Sequence, residues 1–158
     1  MRVISKSLID DLIRQAKKSP RQRAIFRFHR HQEPVQRMLN AIEVGSYIPP
    51  HKHENPDKVE AFVILKGKIA ILRFDNQGKI IQKEILDEKG PVYGVDIAPG
   101  EWHMMMALKK ECVVYEVIQG PYQKKTHKKF APWAPDEEAT QEAKFYLRKI
   151  KKDLGLID

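Results

Sequence analysis

A mainly β domain flanked by two helices is what this chain predicts, and three features carry the prediction. Residues 35–118 break into short runs of alternating or apolar character, each ended by glycine, proline or a polar turn. Strands this short and frequent make an antiparallel barrel or sandwich. The two ends instead carry apolar residues at helical spacing. The 158 residues, 42% of them apolar, are also enough for one domain with its own core.

Residues 5–18 read as the first helix. Leu8, Ile9, Leu12, Ile13 and Ala16 form its apolar stripe, Ser5 or Ser7 can cap its start, and Pro20 marks its end. Residues 24–30 and 35–42 follow as two β-like runs separated by polar residues and Pro34. Further strands are expected over 46–50, 59–66, 68–74, 79–86, 92–97, 101–108 and 112–118. Asp75-Asn76-Gln77-Gly78 is a hairpin turn, and Lys66-Gly67 a tight bend. Past Gly120-Pro121 the chain turns basic and proline-containing as far as Pro135. Asp136 is then expected to cap a second helix, with Glu137 and Glu138 at its positive dipole end. Ala139, Ala143, Tyr146, Ile150 and Leu154 share one face of it, and Gly155 is its stop. The organisation expected is an N-terminal helix and arm over 1–34, a barrel over 35–120, and a basic linker with a C-terminal helix over 121–158. Both helices should pack outside the barrel.

Composition excludes several classes. The longest unbroken apolar runs, 61–65 and 104–108, are five residues, far short of a membrane span, and the start lacks a signal peptide's apolar stretch. A single cysteine, Cys112, cannot form an internal disulfide, which suits a reducing cytoplasm. The net charge of +8 reads either as attraction to anionic partners or as a lysine-rich solvated surface. The densest basic run, 124–129, matches no nucleic-acid module, and His127 within it is expected to be solvated.

The most informative feature is a set of four residues. His51 and His53 alternate along one strand and so point the same way. Glu60 opens the next strand, and His103 arrives from a distant one, after the turn at Pro99-Gly100. Three nitrogens and one oxygen converging from separate strands suit one divalent transition metal, with Zn, Fe, Ni and Mn all admissible. His29 and His31 share a face of their own strand, but no carboxylate accompanies them, and a structural or surface role is expected.

These residues resemble the cupin family. Its first motif appears as Gly45, five residues, His51-Lys52-His53, Glu60, six residues and Gly67. Six residues separate His53 from Glu60, a longer gap than the family usually has, which a loop over 54–58 can absorb; Glu54 is the alternative ligand. The second motif appears as Gly94, Pro99-Gly100 and His103, with Ala107 where the family closes on asparagine. The stretches 19–23, 35–40 and 50–53 are further similar to the WbuC-type cupin-fold metalloproteins. That resemblance implies a single-domain cupin jelly-roll β-barrel with one metal. It also implies a setting in bacterial surface-polysaccharide (O-antigen or capsule) biosynthesis.

Within such a barrel, side chains sharing the ligands' faces line a cavity. The candidates by position are Arg37, Tyr47, Trp102, Met104 and Tyr115. Arg37 could clamp a carboxylate or phosphate, or form an outward salt bridge. Tyr47 is the candidate catalytic residue, with packing as its alternative. Trp102 and Met104 can equally supply barrel wall, and Cys112 is read as a small buried hydrophobe. The function expected is metal-assisted isomerisation, epimerisation or oxygenation of a sugar or sugar nucleotide. The alternative is a non-catalytic module that binds a saccharide or anionic metabolite. The apolar run 24–28 can add to a neighbour's sheet edge or pair within its own chain, and a homodimer is expected.

Overall fold

The structure, a computed structural model, describes residues 1–156. Its strands form two five-stranded sheets in which every pairing is antiparallel. The first sheet runs β1 (Arg23–Arg27), β2 (Val35–Ile42), β9 (Cys112–Gln119), β4 (Glu60–Lys66) and β7 (Gly94–Ile97). The second runs β10 (Lys129–Phe130), β3 (His51–Lys52), β8 (Trp102–Ala107), β5 (Lys68–Phe74) and β6 (Ile80–Asp87). Among the described residues the sheets share no strand, so the expected jelly roll is an open sandwich rather than a closed barrel. No helix among the described residues is long and apolar enough to cross a membrane.

Alternation along the strands produces a layered core. Ile69 and Ile71 of β5, Met105 and Ala107 of β8, and Ile42, Phe62, Ile64 and Val114 of the first sheet meet between the sheets. The intervening residues Ala70, Leu72, Phe74, Trp102, Met104 and Met106 point the other way. There they pack against Ala143, Leu147 and Ile150 of α2 (Thr140–Asp153). On the opposite side, Leu12, Ile13 and Ala16 of α1 (Lys6–Lys18) cover Leu39, Ala41 and Val113. Both sheets are therefore apolar on two faces, which is why all six residues of β8 are buried. Both helices lie outside the sandwich, as expected.

Local signals account for most boundaries. The Ser5 hydroxyl accepts from the Leu8 amide and caps α1. Gly67 makes its bend with φ 85°, and a Cβ there would meet the Cys112 sulfur at 2.7 Å. Three differences from expectation bear on the site. No strand forms over 46–50, because Pro49 and Pro50 have no amide hydrogen to give a ladder, and pairing begins only at His51. The second helix starts at Thr140 rather than after Asp136, without a side-chain cap. Its would-be first turn is spent on Glu137, whose carboxylate pairs back to Arg21 and Arg23. The basic linker also contains β10, which registers Lys129 and Phe130 against Lys52 and His51.

Candidate metal centre

β3 and β8 pair with His51 directly opposite His103, so two imidazoles from residues 52 apart in sequence start as cross-strand neighbours. His53 follows two residues after His51, and Glu60 opens β4 on the facing sheet. The longer gap between them is a turn over 54–57, after which the buried Lys58 anchors its ammonium on the Pro121 carbonyl at 2.8 Å. The resulting cluster places one ligand atom from each of His51, His53, Glu60 and His103 within 4.8 Å of all the others. None of the four is more than 4% exposed.

Hydrogen bonds orient the three rings. Nδ1 of His51 contacts the Pro49 carbonyl at 2.9 Å, Nδ1 of His103 the Glu101 carbonyl at 2.9 Å, and Nδ1 of His53 the His127 carbonyl. A carbonyl oxygen only accepts, so each Nδ1 carries the proton and donates, and each ring turns its Nε2, the nitrogen left to ligate, toward the cluster. Burial first, and then the Lys128 ammonium, hold His51 well below the ordinary histidine range, hence neutral. Glu60 Oε2 lies 2.9 Å from His103 Nε2 and 3.3 Å from His53 Nε2. Yet His103 Nε2 is a buried nitrogen with no well-directed hydrogen bond. Lone pairs facing a buried carboxylate call for a cation between them. Three imidazoles and a carboxylate, with every distal ring nitrogen tied to a carbonyl, fit a borderline divalent transition metal.

The cluster opens on a cavity of about 420 Å³ between the sheets. Met38, Ile42, Phe62 and Met105 form its apolar part. Its polar part includes Asn40, Glu116, His29, His31 and His127. Glu116 of β9 sits in register with Phe62 and Met38 and accepts from the Asn40 amide at 2.6 Å. Burial and then the Glu60 charge push its carboxyl up. His127, expected to be solvated, instead packs its ring 5.1 Å from that of His53, and burial with the Lys128 charge pushes it down to about 3. His29 and His31, expected to be structural or surface residues, line the same cavity.

The other candidate residues point elsewhere. Arg37 faces outward and pairs with Glu33, the salt-bridge alternative. Tyr115 lies beside it on the outer face of β9, in a separate hollow with Met1, Arg2, Ile4 and Phe28. Tyr47 donates its hydroxyl to the Pro135 carbonyl at 2.8 Å and packs edge-on against Tyr146. Trp102 and Met104 lie in the α2-facing core, where the Trp102 indole donates to Asn76 at 3.0 Å. Glu54 is held by Lys52 and Lys129, away from the cluster. Cys112 is buried, as expected, and burial raises its thiol.

A family model described as a domain of unknown function, DUF6016, matches residues 4–86. No curated protein matches the chain. Among solved structures, the capsular polysaccharide assembling protein CapF from Staphylococcus aureus is similar at 20% identity and a TM-score of 0.56, over 68% of this chain and 29% of that one. Oxalate decarboxylase from Bacillus subtilis is similar at 14% identity and a TM-score of 0.52, over 68% of this chain and 27% of that one. KdgF from Halomonas sp. is similar at 15% identity and a TM-score of 0.50, over 65% of this chain and 82% of that one. This chain thus spans less than a third of CapF and of the decarboxylase, and most of KdgF. The fold common to them is the cupin jelly roll.

Proposed function

Because the chain belongs to the DUF6016 family, whose description names no activity, we propose its function from the cavity: a metal-binding cupin that isomerises or epimerises a sugar or sugar nucleotide. One observation carries this reading. Four buried donors converge within 4.8 Å, with each distal imidazole nitrogen bonded to a carbonyl, at the wall of a cavity sized for a small molecule. His51, His53, Glu60 and His103 would hold one divalent ion, which would supply Lewis-acid polarisation of a carbonyl or hydroxyl oxygen. Glu116 takes the proton-transfer role first considered for Tyr47. Its carboxyl lines the same cavity and is oriented by Asn40, so it can accept a proton from substrate carbon and return it. Met38, Phe62 and Met105 give the sugar ring an apolar face and limit water at the reacting carbon.

The WbuC-type resemblance and the fold shared with CapF support a place in bacterial surface-polysaccharide assembly. A cytoplasmic setting accords with the single buried thiol. The outer edge of β1, the terminal strand of its sheet, offers a surface for a homodimer.

The test begins with protein purified without tag or chelator. Elemental mass spectrometry should find near one equivalent of transition metal, lost in a His51→Ala, His53→Ala double variant. Incubation with candidate sugar nucleotides in D2O should then place deuterium at a substrate carbon. Oxygen consumption with iron in the site would replace isomerisation by oxygenation. Ligand-dependent stabilisation with neither reaction would make the protein a binding module.

A further inference from the structure

Charged side chains on the cavity follow a pattern that the four-donor cluster does not explain. Five cationic residues line it, Arg21, Arg23, Arg27, Lys124 and Lys128, against the carboxylates Glu60, Glu116 and Glu137. Glu137 is shared by Arg21 and Arg23, Glu60 faces the imidazoles, and Glu116 is held by Asn40. Arg27, Lys124 and Lys128 form no ion pair among the described residues. Yet they reach one concavity from two separate segments, β1 and the loop before β10. Cations lining a concave, partly apolar wall concentrate their field there.

The loop that carries the lysines is built into the site. His127 gives its carbonyl to His53 Nδ1, Phe130 lies opposite His51, and the Ala131 amide donates to the Pro50 carbonyl at 2.9 Å. At its start, Lys58 holds the Pro121 carbonyl. The segment is thereby fixed at both ends against the strands that carry the histidines. The His127 ring meanwhile leaves Nδ1 buried without a hydrogen-bond partner at the same cavity.

We propose that this cavity selects ligands bearing an anionic group, carboxylate or phosphate, held by Arg27 with Lys124 and Lys128 of the post-sandwich loop. This rests on the reading of the cavity as a sugar site and names the class of sugar it takes. The anion sits at the cationic mouth, and the remainder of the ligand extends over Met38 and Phe62 toward the His/Glu cluster. A guanidinium meets either oxyanion bidentately, and the two ammonium groups add charge without fixed geometry.

Isothermal titration of the purified protein would use glucose 6-phosphate, glucuronate and glucose as probes, with metal content measured on the same samples. At least one anionic probe should bind tenfold or more tighter than glucose, and tenfold or more weaker in an Arg27→Gln, Lys124→Gln, Lys128→Gln variant. Whichever acid binds identifies the anion. A control variant, Lys144→Gln, Arg148→Gln, Lys152→Gln, removes the same charge from exposed positions of α2 and should bind like the parent. Anionic probes that bind no better than glucose, or not at all, would overturn the proposal. So would an unchanged affinity in the cavity variant, or equal losses in both variants. A metal-loaded protein without anion preference sinks this inference alone. Anion selectivity in a protein that holds no metal sinks the metal reading instead.

Discussion

Ion-dependent stability is the sharpest consequence of the cluster. His51, His53, Glu60 and His103 are between 2% and 4% exposed, and their donor atoms crowd within 4.8 Å. Such an arrangement is unfavourable until a cation fills it. An ion that binds only the folded chain stabilises it by about 2.7 kcal/mol at a free concentration of about 100 Kd, and by about 1.4 kcal/mol more for each further tenfold. In a chain of 158 residues, each kcal/mol moves Tm by about 2–4 °C. At about 100 Kd the protein should therefore melt about 5–11 °C above its chelated form, then gain about 3–6 °C per decade of ion. Scanning calorimetry on chelated protein, titrated with Zn(II), Ni(II), Mn(II) and, without oxygen, Fe(II), reads this directly. The His51→Ala, His53→Ala variant should show none of the rise. A Tm that stays flat across three decades of every ion would refute the reasoning, as would a rise that the variant keeps. Either result would mean that the four side chains are satisfied without a cation.

Three further outcomes bear on the remaining assignments. Glu116→Gln should lower deuterium exchange at the substrate carbon by about 10²-fold or more while leaving the ion-dependent rise in Tm intact; exchange at the parent rate would remove Glu116 from the chemistry. Tyr47→Phe loses the bond to the Pro135 carbonyl and should cost about 1 kcal/mol in denaturant unfolding, with metal content and exchange unchanged. Glu111 pairs with Lys17 of α1 and Lys66 of β4, and those two ammonium groups lower its carboxyl to about 2. A lowered folded-state pKa means that the unfolded chain binds the proton first. The stabilisation is therefore present above the ordinary carboxylate range and disappears as pH falls toward about 2. The side chain is about a third exposed, so Glu111→Gln should cost less than about 1 kcal/mol at neutral pH, with the two unfolding curves converging in acid.

Fold class and the four-donor cluster were legible because both rest on local periodicity. The short alternating runs specify antiparallel strands, and the His-x-His pair with Pro99-Gly100 before His103 specifies which strands carry ligands. The cavity's other residues were harder to read. Parity along a strand could have excluded Trp102, since its neighbour His103 points inward and adjacent residues take opposite faces. Parity could not decide between Tyr115 and Glu116, because β9 is apolar on both faces: α1 covers one and the facing sheet the other. That choice needs the register that sets Glu116 beside Phe62 and Tyr115 beside Val63, which is a tertiary fact. Arg37 and Tyr47 looked attractive because polar groups near a metal motif suggest ligand contact. Glu33, four residues before Arg37, and the carbonyl of Pro135 supplied nearer partners.

The least legible part is the segment after Gly120, and its position changes what the domain is. Read as a sequence, 124–129 is a charge run, and charge runs usually serve as solvated surface. Here α2 docks Ala143, Leu147 and Ile150 on the outer face of the second sheet, which fixes where the preceding linker must run. That route passes beside β3, where two backbone pairings suffice to form β10 and bring the His127 carbonyl onto His53. The helix on the outer face of the second sheet is thus joined, through this linker, to the carbonyl that orients one of the four donors. Loosening α2 by Leu147→Ala should then lower metal affinity as well as stability. The coupling is visible only if ion titrations are made below the variant's own unfolding transition. An unchanged metal affinity in a variant destabilised by about 2–5 kcal/mol would show that β10 and the His127 carbonyl hold their places without the helix.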